Sequence, residues 1–472
     1  MQAVKEKSSS PALVEGLADL VSNIRYENMP QEDVSAIKRL VLDTLGCAIG
    51  AVGCKPAAML ETMLRPPASA SDTATLIGSG CKTSLESAIL VNGALARYLD
   101  FMDVYWSMDV CHPSENIPLA LACVEAAGRQ GRHLIEAVAA GFEVQVRLAD
   151  AFTFHGTGMH HVSAAGFVAP LVIGKVWDLP RAQLAHAAAL GGFRHLTLGA
   201  LSSGRLSMAK AVGYSLPASE AVFSTRLAMQ GFTGPLEALE NLWAGFGDKS
   251  AASLTETLDL SPGTGMVQRV SLKRFPVQYT LQSPVEAALE LRARLEGSMS
   301  GIEKIVIKVH ALTRKRTADA AKYHPENRET ADHSMPCCVA LALLDGRLDA
   351  GQFEQDRWAD EDVRALMGRI EVMASDELER QYPNGRPVEL IAHMRGGAEH
   401  RIFIDAPLGD VNRPMSDLDV DNKFYALSAP VLGANRAIAV IELVRELDRL
   451  DDMRKLTNLL VAEPAASSER RS

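Results

Sequence analysis

The strongest constraint in this chain is a change of hydrophobic period that happens twice. Through about residue 268 apolar residues recur at helical spacing, as in PQEDVSAIKRLVLDTLGCAIGAVG, where Val34, Ile37, Val41 and Leu45 share one face. Beyond it, GIEKIVIKVHAL alternates, with Ile305, Ile307 and Val309 on one face and Lys304, Lys308 and His310 on the other. RIEVMA, PVELIAHMR and HRIFID alternate as well, and helical spacing returns in 415–427 and 434–462. The pattern predicts a mainly α protein: a large all-helical domain over 1–268, a smaller α+β domain over 269–407, and a helical segment over 408–472 that goes back to the first domain. Helices are also predicted for 84–100, 113–127, 132–150, 163–176, 181–191, 208–230 and 330–346. Alanine- and glycine-rich runs such as AHAAALGG let helices pack closely.

Composition narrows the function. The 472 residues, 47% hydrophobic, suffice for a large core. A net charge of -10 argues against nucleic acid as the partner but leaves room for a locally basic pocket that takes a small anion. No apolar run is long enough to span a bilayer, and no charged leader precedes an apolar core. Seven scattered cysteines with no CxxC point to a reduced, cytoplasmic protein without an iron–sulfur cluster. P-loop, GxGxxG and GxSxG motifs are missing, which leaves nucleotide binding and serine hydrolysis unsupported.

Four segments carry residues suited to chemistry. LDFMDVYWSMDVCHPSEN (99–116) holds Asp100, Asp103, Asp109 and His112, which could form a metal site, an acid/base site or an ordinary loop. There is no HExxH, EF-hand or D-x-D-x-D run to favour metal. FHGTGMHHVSAAG sets His160 and His161 before a small-residue helix, whose N-terminus suits an anion. Lys210 lies among small and apolar residues, either as a snorkelling surface lysine or as a carboxylate clamp. VSLKRFPVQYTLQSP places Lys273, Arg274 and Tyr279 around Phe275-Pro276.

Taken together, NGALARYLDFMDVYWSMDVCHPSEN, GMHHVSAAG, GFTGP, LKRFPVQYTLQSPVEAALELR and KYHPENRETADHSMPCCVALALLDG resemble the MmgE/PrpD family in content and order, from about 15 to 460. The likeness is greatest to its 2-methylcitrate dehydratase branch; cis-aconitate decarboxylase and iminodisuccinate epimerase are relatives. The resemblance implies a helical domain, an α+β lid, a homodimer, and no metal or organic cofactor. It carries over Asp100, Asp103, His112, His160 or His161, Lys210, Lys273 and Tyr323 as site residues. Val104 stands where the family has threonine, and Thr280 where the dehydratase branch usually has histidine. The implied chemistry is proton removal next to a carboxylate on a small di- or tricarboxylic acid, most simply dehydration of 2-methylcitrate. Lys210, Lys273 and Arg274 would hold carboxylates, with Asp103, Tyr279 and Tyr323 beside them. His112 and His160 or His161 would move protons, and Asp100 would orient a histidine or the substrate hydroxyl. Decarboxylation, epimerisation and carboxylate binding without turnover are the competing outcomes.

Overall fold

The computed structural model describes residues 11–64, 72–203, 206–246, 256–381 and 385–463. Helices begin where the local chemistry permits. Gln31–Gly50 follows Pro30 and carries Glu32 and Asp33 in its first turn, at the positive end of the helix dipole. Leu85–Tyr98 is capped by the Ser84 side chain, which accepts from the Ser87 amide. It is terminated at Asp100, whose left-handed backbone (φ 51°) is a conformation that aspartate tolerates better than most residues.

Helices Asn116–Ala126, Gly131–Ala151, Ala165–Val176, Arg181–Gly192 and Ser215–Met229 pack on these around one core. That core draws residues from 13 to 267 and again from 415 to 460. The returning helix Asp417–Leu432 lies against Gln31–Gly50. A Cβ on Gly46 would stand 3.3 Å from the Phe424 Cα, so the close crossing depends on the glycine. No single helix among the described residues is long and apolar enough to cross a membrane.

A second core, drawn from residues 275–404, is built on a four-stranded sheet. Its strands are β1 (Ile302–Val309), β2 (Ile370–Ala374), β3 (Val388–Met394) and β4 (Glu399–Ile404), in the order β2-β1-β3-β4. β1 runs parallel to β2 and antiparallel to β3; Ile307 sits opposite Val372 on one side and Leu390 on the other. Helices Gln282–Arg294 and Met335–Asp345 pack on each other in this core.

Four sequence expectations are corrected. β1 ends at Val309, and His310 is buried instead of sharing a face with Lys304 and Lys308; its ring caps the next helix by accepting from the Thr313 amide. The 208–230 helix is a 3₁₀ turn, Met208–Val212, followed by Ser215–Met229. The 434–462 helix stops at Arg445, and short turns follow; Asp452 takes the Arg454 amide with its side chain, which competes with helix propagation. The 330–346 helix is broken at Asp332–Ser334, because Ser334 caps a new helix at Met335 with Pro336 in its first turn.

The two cores and the C-terminal helix are joined by a polar strut. Lys423 donates to the carbonyls of Phe101 (2.7 Å) and Lys273 (2.9 Å) and ion-pairs with buried Asp43 at 2.7 Å. Replacing Lys423 with alanine leaves Asp43 buried without a counter-charge, which should cost about 3–5 kcal/mol in urea unfolding. The double variant Asp43→Leu/Lys423→Met should recover most of the loss.

Candidate active site

Backbone pairing assembles the site. Val104 and Ser271 exchange two backbone hydrogen bonds of 2.8 Å, which brings Lys273 beside the end of the Leu85–Tyr98 helix. Leu272 donates to the Gly409 carbonyl at 2.8 Å. Gly409 has φ 98°, and a Cβ there would meet the Leu272 oxygen at 2.1 Å, so this junction requires glycine.

Asp100 lies at the convergence point, 2% exposed. Arg97 is 3.0 Å from its Oδ1 and Lys210 2.9 Å from Oδ2; Lys273 pairs with Oδ1, and His333 Nε2 is 3.5 Å from Oδ2. Burial alone would raise its pKa, but Arg97, Lys210, Lys273 and His333 hold it well below the ordinary carboxylate value. Asp332 is the second acid. It accepts from His333 Nδ1 at 2.5 Å and faces Lys210 at 3.4 Å and Arg328 at 3.3 Å; these cations outweigh burial and keep it ionised.

A cavity of about 770 Å³ opens beside this cluster. Its lining includes His112, His155, His160 and His161 from the helical part, and Lys315, Arg316 and Lys322 from the α+β part. With Arg97 and Lys273, five cationic side chains line it against two carboxylates, Asp100 and Asp319. Such a surface suits a ligand with several negative charges.

The histidines differ in tautomer. His112 Nδ1 is 2.6 Å from the Asp103 carbonyl and must donate to it, so Nε2 keeps a lone pair. His160 Nδ1 accepts from the Val162 amide at 3.4 Å, which places the proton of the neutral ring on Nε2. Both nitrogens of His161 are buried without a hydrogen-bond partner. Burial lowers the pKa of His112 and His161 well below the usual value and that of His160 to about 3. His155 is held by Asp109, whose Oδ1 is 2.5 Å from Nδ1. Donor atoms of His155, His160 and His161 lie within 4.8 Å of one another, as do those of Asp100, Asp332 and His333. In the second group lysine and arginine already neutralise the carboxylates; the first group is three imidazoles on the cavity wall.

The residues singled out in the sequence fall into three sets. Asp100, Lys210 and Lys273 form the ion cluster, and His112, His160 and His161 the wall. Asp103 is fully buried and stands outside the cavity lining; it accepts from the Ser114 amide and hydroxyl while its carbonyl fixes His112. Tyr279 lines the cavity, but its hydroxyl is committed to Asp410 at 2.5 Å.

Two residues expected to hold substrate do not reach the cavity. Arg274 is 41% exposed, lies over the Phe275 ring and is 3.9 Å from Glu286. Tyr323 engages the backbone of Val372 in β2. Thr280 faces a neighbouring pocket and donates to Gln278, whereas Val104 does line the cavity. Asp109 is buried and accepts from the Phe154 amide as well as from His155. Arg97, His155, Asp332 and His333 were not singled out in the sequence. The Ser-x-Pro helix start in RETADHSMP is the signal that could have placed Asp332 and His333 at a helix break.

A helical body joined to an α+β unit, with a cation-rich and histidine-walled cavity, defines a class of protein suited to acid/base work on small polyanions. Residues 15–254 match the MmgE/PrpD N-terminal domain, and 275–449 match the MmgE/PrpD C-terminal domain. The chain belongs to the MmgE/PrpD family. It is 26% identical to 2-methylcitrate dehydratase of Cupriavidus necator, over 84% of this chain and 86% of that protein. It is 25% identical to 2-methylcitrate dehydratase of Salmonella typhimurium, over 87% and 89%, and 25% identical to human cis-aconitate decarboxylase, over 95% and 94%.

Glu115 gives a test of the electrostatics. Neither of its buried oxygens has a hydrogen-bond partner, Arg97 is 3.6 Å away, and burial pushes its pKa up to about 8. The folded chain therefore keeps a proton that the unfolded chain loses near pH 4.3. Its contribution makes stability fall as pH rises from about 4.3 through about 8. Glu115→Gln, which mimics the protonated acid, should match wild type in thermal melts at pH 5 and exceed it at pH 8.5.

Proposed function

We propose that this protein is a cofactor-independent lyase that removes a proton next to a carboxylate on a small di- or tricarboxylic acid, with 2-methylcitrate or a similar hydroxy acid dehydrated. The observation that carries this reading is the pairing of a cation-lined cavity with an imidazole, His112 Nε2, whose lone pair is free to accept a proton. Arg97, Lys210 and Lys273 stabilise the negative charge that grows on the carboxylate as the proton leaves. His112 is the base, held by the Asp103 carbonyl, and His160, with its proton on Nε2, hydrogen-bonds a carboxylate oxygen of the substrate. The α+β unit acts as the lid over this cleft. The protein works in the cytoplasm.

Decarboxylation of a cis-aconitate-like acid is the second reading. It is favoured by Val104, which puts an apolar side chain on the cavity wall, and by the likeness to cis-aconitate decarboxylase over 95% of this chain. Purified protein incubated with 2-methylcitrate, citrate, cis-aconitate and iminodisuccinate, followed by proton NMR, separates the outcomes. Water loss from a hydroxy acid upholds dehydration, and carbon dioxide release replaces it with decarboxylation. Inversion without mass change indicates epimerisation. Thermal stabilisation by one acid without turnover would leave a binding protein. Activity should survive dialysis against EDTA; its loss would move the His155, His160 and His161 cluster from proton transfer to metal binding. Lys210→Met should lower kcat/KM about 10²-fold or more, since it removes the charge paired with Asp100 and Asp332 behind the cavity wall and so shifts the field in which the anion develops.

We further propose that the working form is a homodimer. Phe193, Leu198, Leu216, Phe223 and Phe232 are large apolar side chains, each 46–69% exposed, clustered between residues 193 and 232. Sedimentation should give twice the chain mass, and Phe223→Glu should give the monomer.

A further inference from the structure

We propose that His333, oriented by Asp332, is the second proton-transfer residue of this site and protonates the hydroxyl that departs as water. The assignment rests on the dehydration reading and deepens it. His112 takes the proton from carbon, and the C–H electrons form the double bond. The C–O bond breaks, its oxygen takes the proton from the His333 imidazolium, and water leaves; the proton on His112 then returns through solvent to His333.

The geometry fits that task. The 330–346 segment is not one helix: Arg328–Ala331 ends, and Ser334 caps a new start at Met335. This break presents Asp332 and His333 to the cluster, and His333 lines the cavity. Nδ1 donates to Asp332 Oδ1 at 2.5 Å, which fixes the ring and leaves Nε2 for chemistry, the arrangement in which a carboxylate orients an imidazole and stabilises its charged form. Nε2 lies 3.5 Å from Asp100 Oδ2, an oxygen that is ion-paired with Lys210 but receives no hydrogen bond. The protonated ring thus has a carboxylate at each nitrogen.

The charges around the ring couple its protonation to ligand. Asp332 and Asp100 favour the imidazolium. Against it stand burial, Lys210 with Nζ 3.4 Å from Nδ1, Arg328 on Asp332, and Arg97 and Lys273 on Asp100. Burial and Lys210 hold His333 below the ordinary histidine value. A bound polycarboxylate neutralises the neighbouring cations and raises it. The acid is therefore charged when there is something to protonate. The base comes from the helical part and the acid from the α+β unit, so substrate must be flanked by both cores before elimination can proceed.

The test uses the full chain with the acid that wild type turns over. His333→Gln should lose about 10²–10⁴ in kcat while keeping thermal stabilisation by that acid. Its pH profile should lose the alkaline limb, because the residue that must be protonated is gone. Asp332→Asn should move that limb to lower pH, and added imidazole should restore turnover in His333→Ala by about tenfold or more. A kcat for His333→Gln within threefold of wild type, or an unchanged alkaline limb, overturns the assignment. If wild type turns over no acid, the dehydration reading fails on its own. His333 is then judged by diethyl pyrocarbonate labelling mapped by mass spectrometry. Labelling of His333 that citrate blocks, and that Asp332→Asn shifts in pH, upholds a proton-transfer group open to the ligand; labelling indifferent to both overturns it.

Discussion

A carboxylate buried at the negative end of a helix organises this molecule. Asp100 follows the last turn of Leu85–Tyr98, where exposed carbonyls already disfavour negative charge, and burial adds a further penalty. It persists because Arg97, Lys210 and Lys273 surround it, with the His333 imidazole beside them. Those groups come from four stretches of chain, so satisfying one side chain fixes the relative positions of all four. The network extends further: Lys210 also pairs with Asp332, and Asp332 in turn with Arg328. Lys423 secures the backbone beneath it by binding the carbonyls of Phe101 and Lys273.

The same network sets the pocket's chemistry. Asp100 offsets only part of the positive charge, so the lining remains cationic and can receive carboxylates. Burial beside those cations keeps His112, His160 and His161 neutral, the state in which an imidazole can accept a proton. Lys315, Arg316 and Lys322 add charge from the α+β side, which makes a ligand with several carboxylates a better fit than a monoacid.

Much of this was legible in sequence wherever a residue's role follows from its neighbours in the chain. The two changes of period located the strands and the returning helix. Asp100, His112, His160, His161, Lys210 and Lys273 stood out as polar groups in apolar or turn-rich surroundings; five of them line one cavity, and Lys210 stands behind it, paired with Asp100. Arg274 and Tyr323 did not follow, because adjacency says nothing about direction: Lys273 points inward and Arg274, one residue on, points to solvent. Asp109 could not be placed from sequence, because a sequence does not show that the Phe154 amide and His155 would need an acceptor.

By itself the sequence determined the class of fold and the inventory of chemical groups, since period, capping residues and residue types are local properties. Tertiary structure decided which groups meet. The His333–Asp332 pair became part of the site only because a helix break turned it toward Asp100 across more than two hundred residues of chain. Whether His112 or His160 holds a lone pair toward the cavity was decided by one backbone carbonyl and one backbone amide. Protonation state and direction depend on distance and burial, and those exist only once the chain has folded.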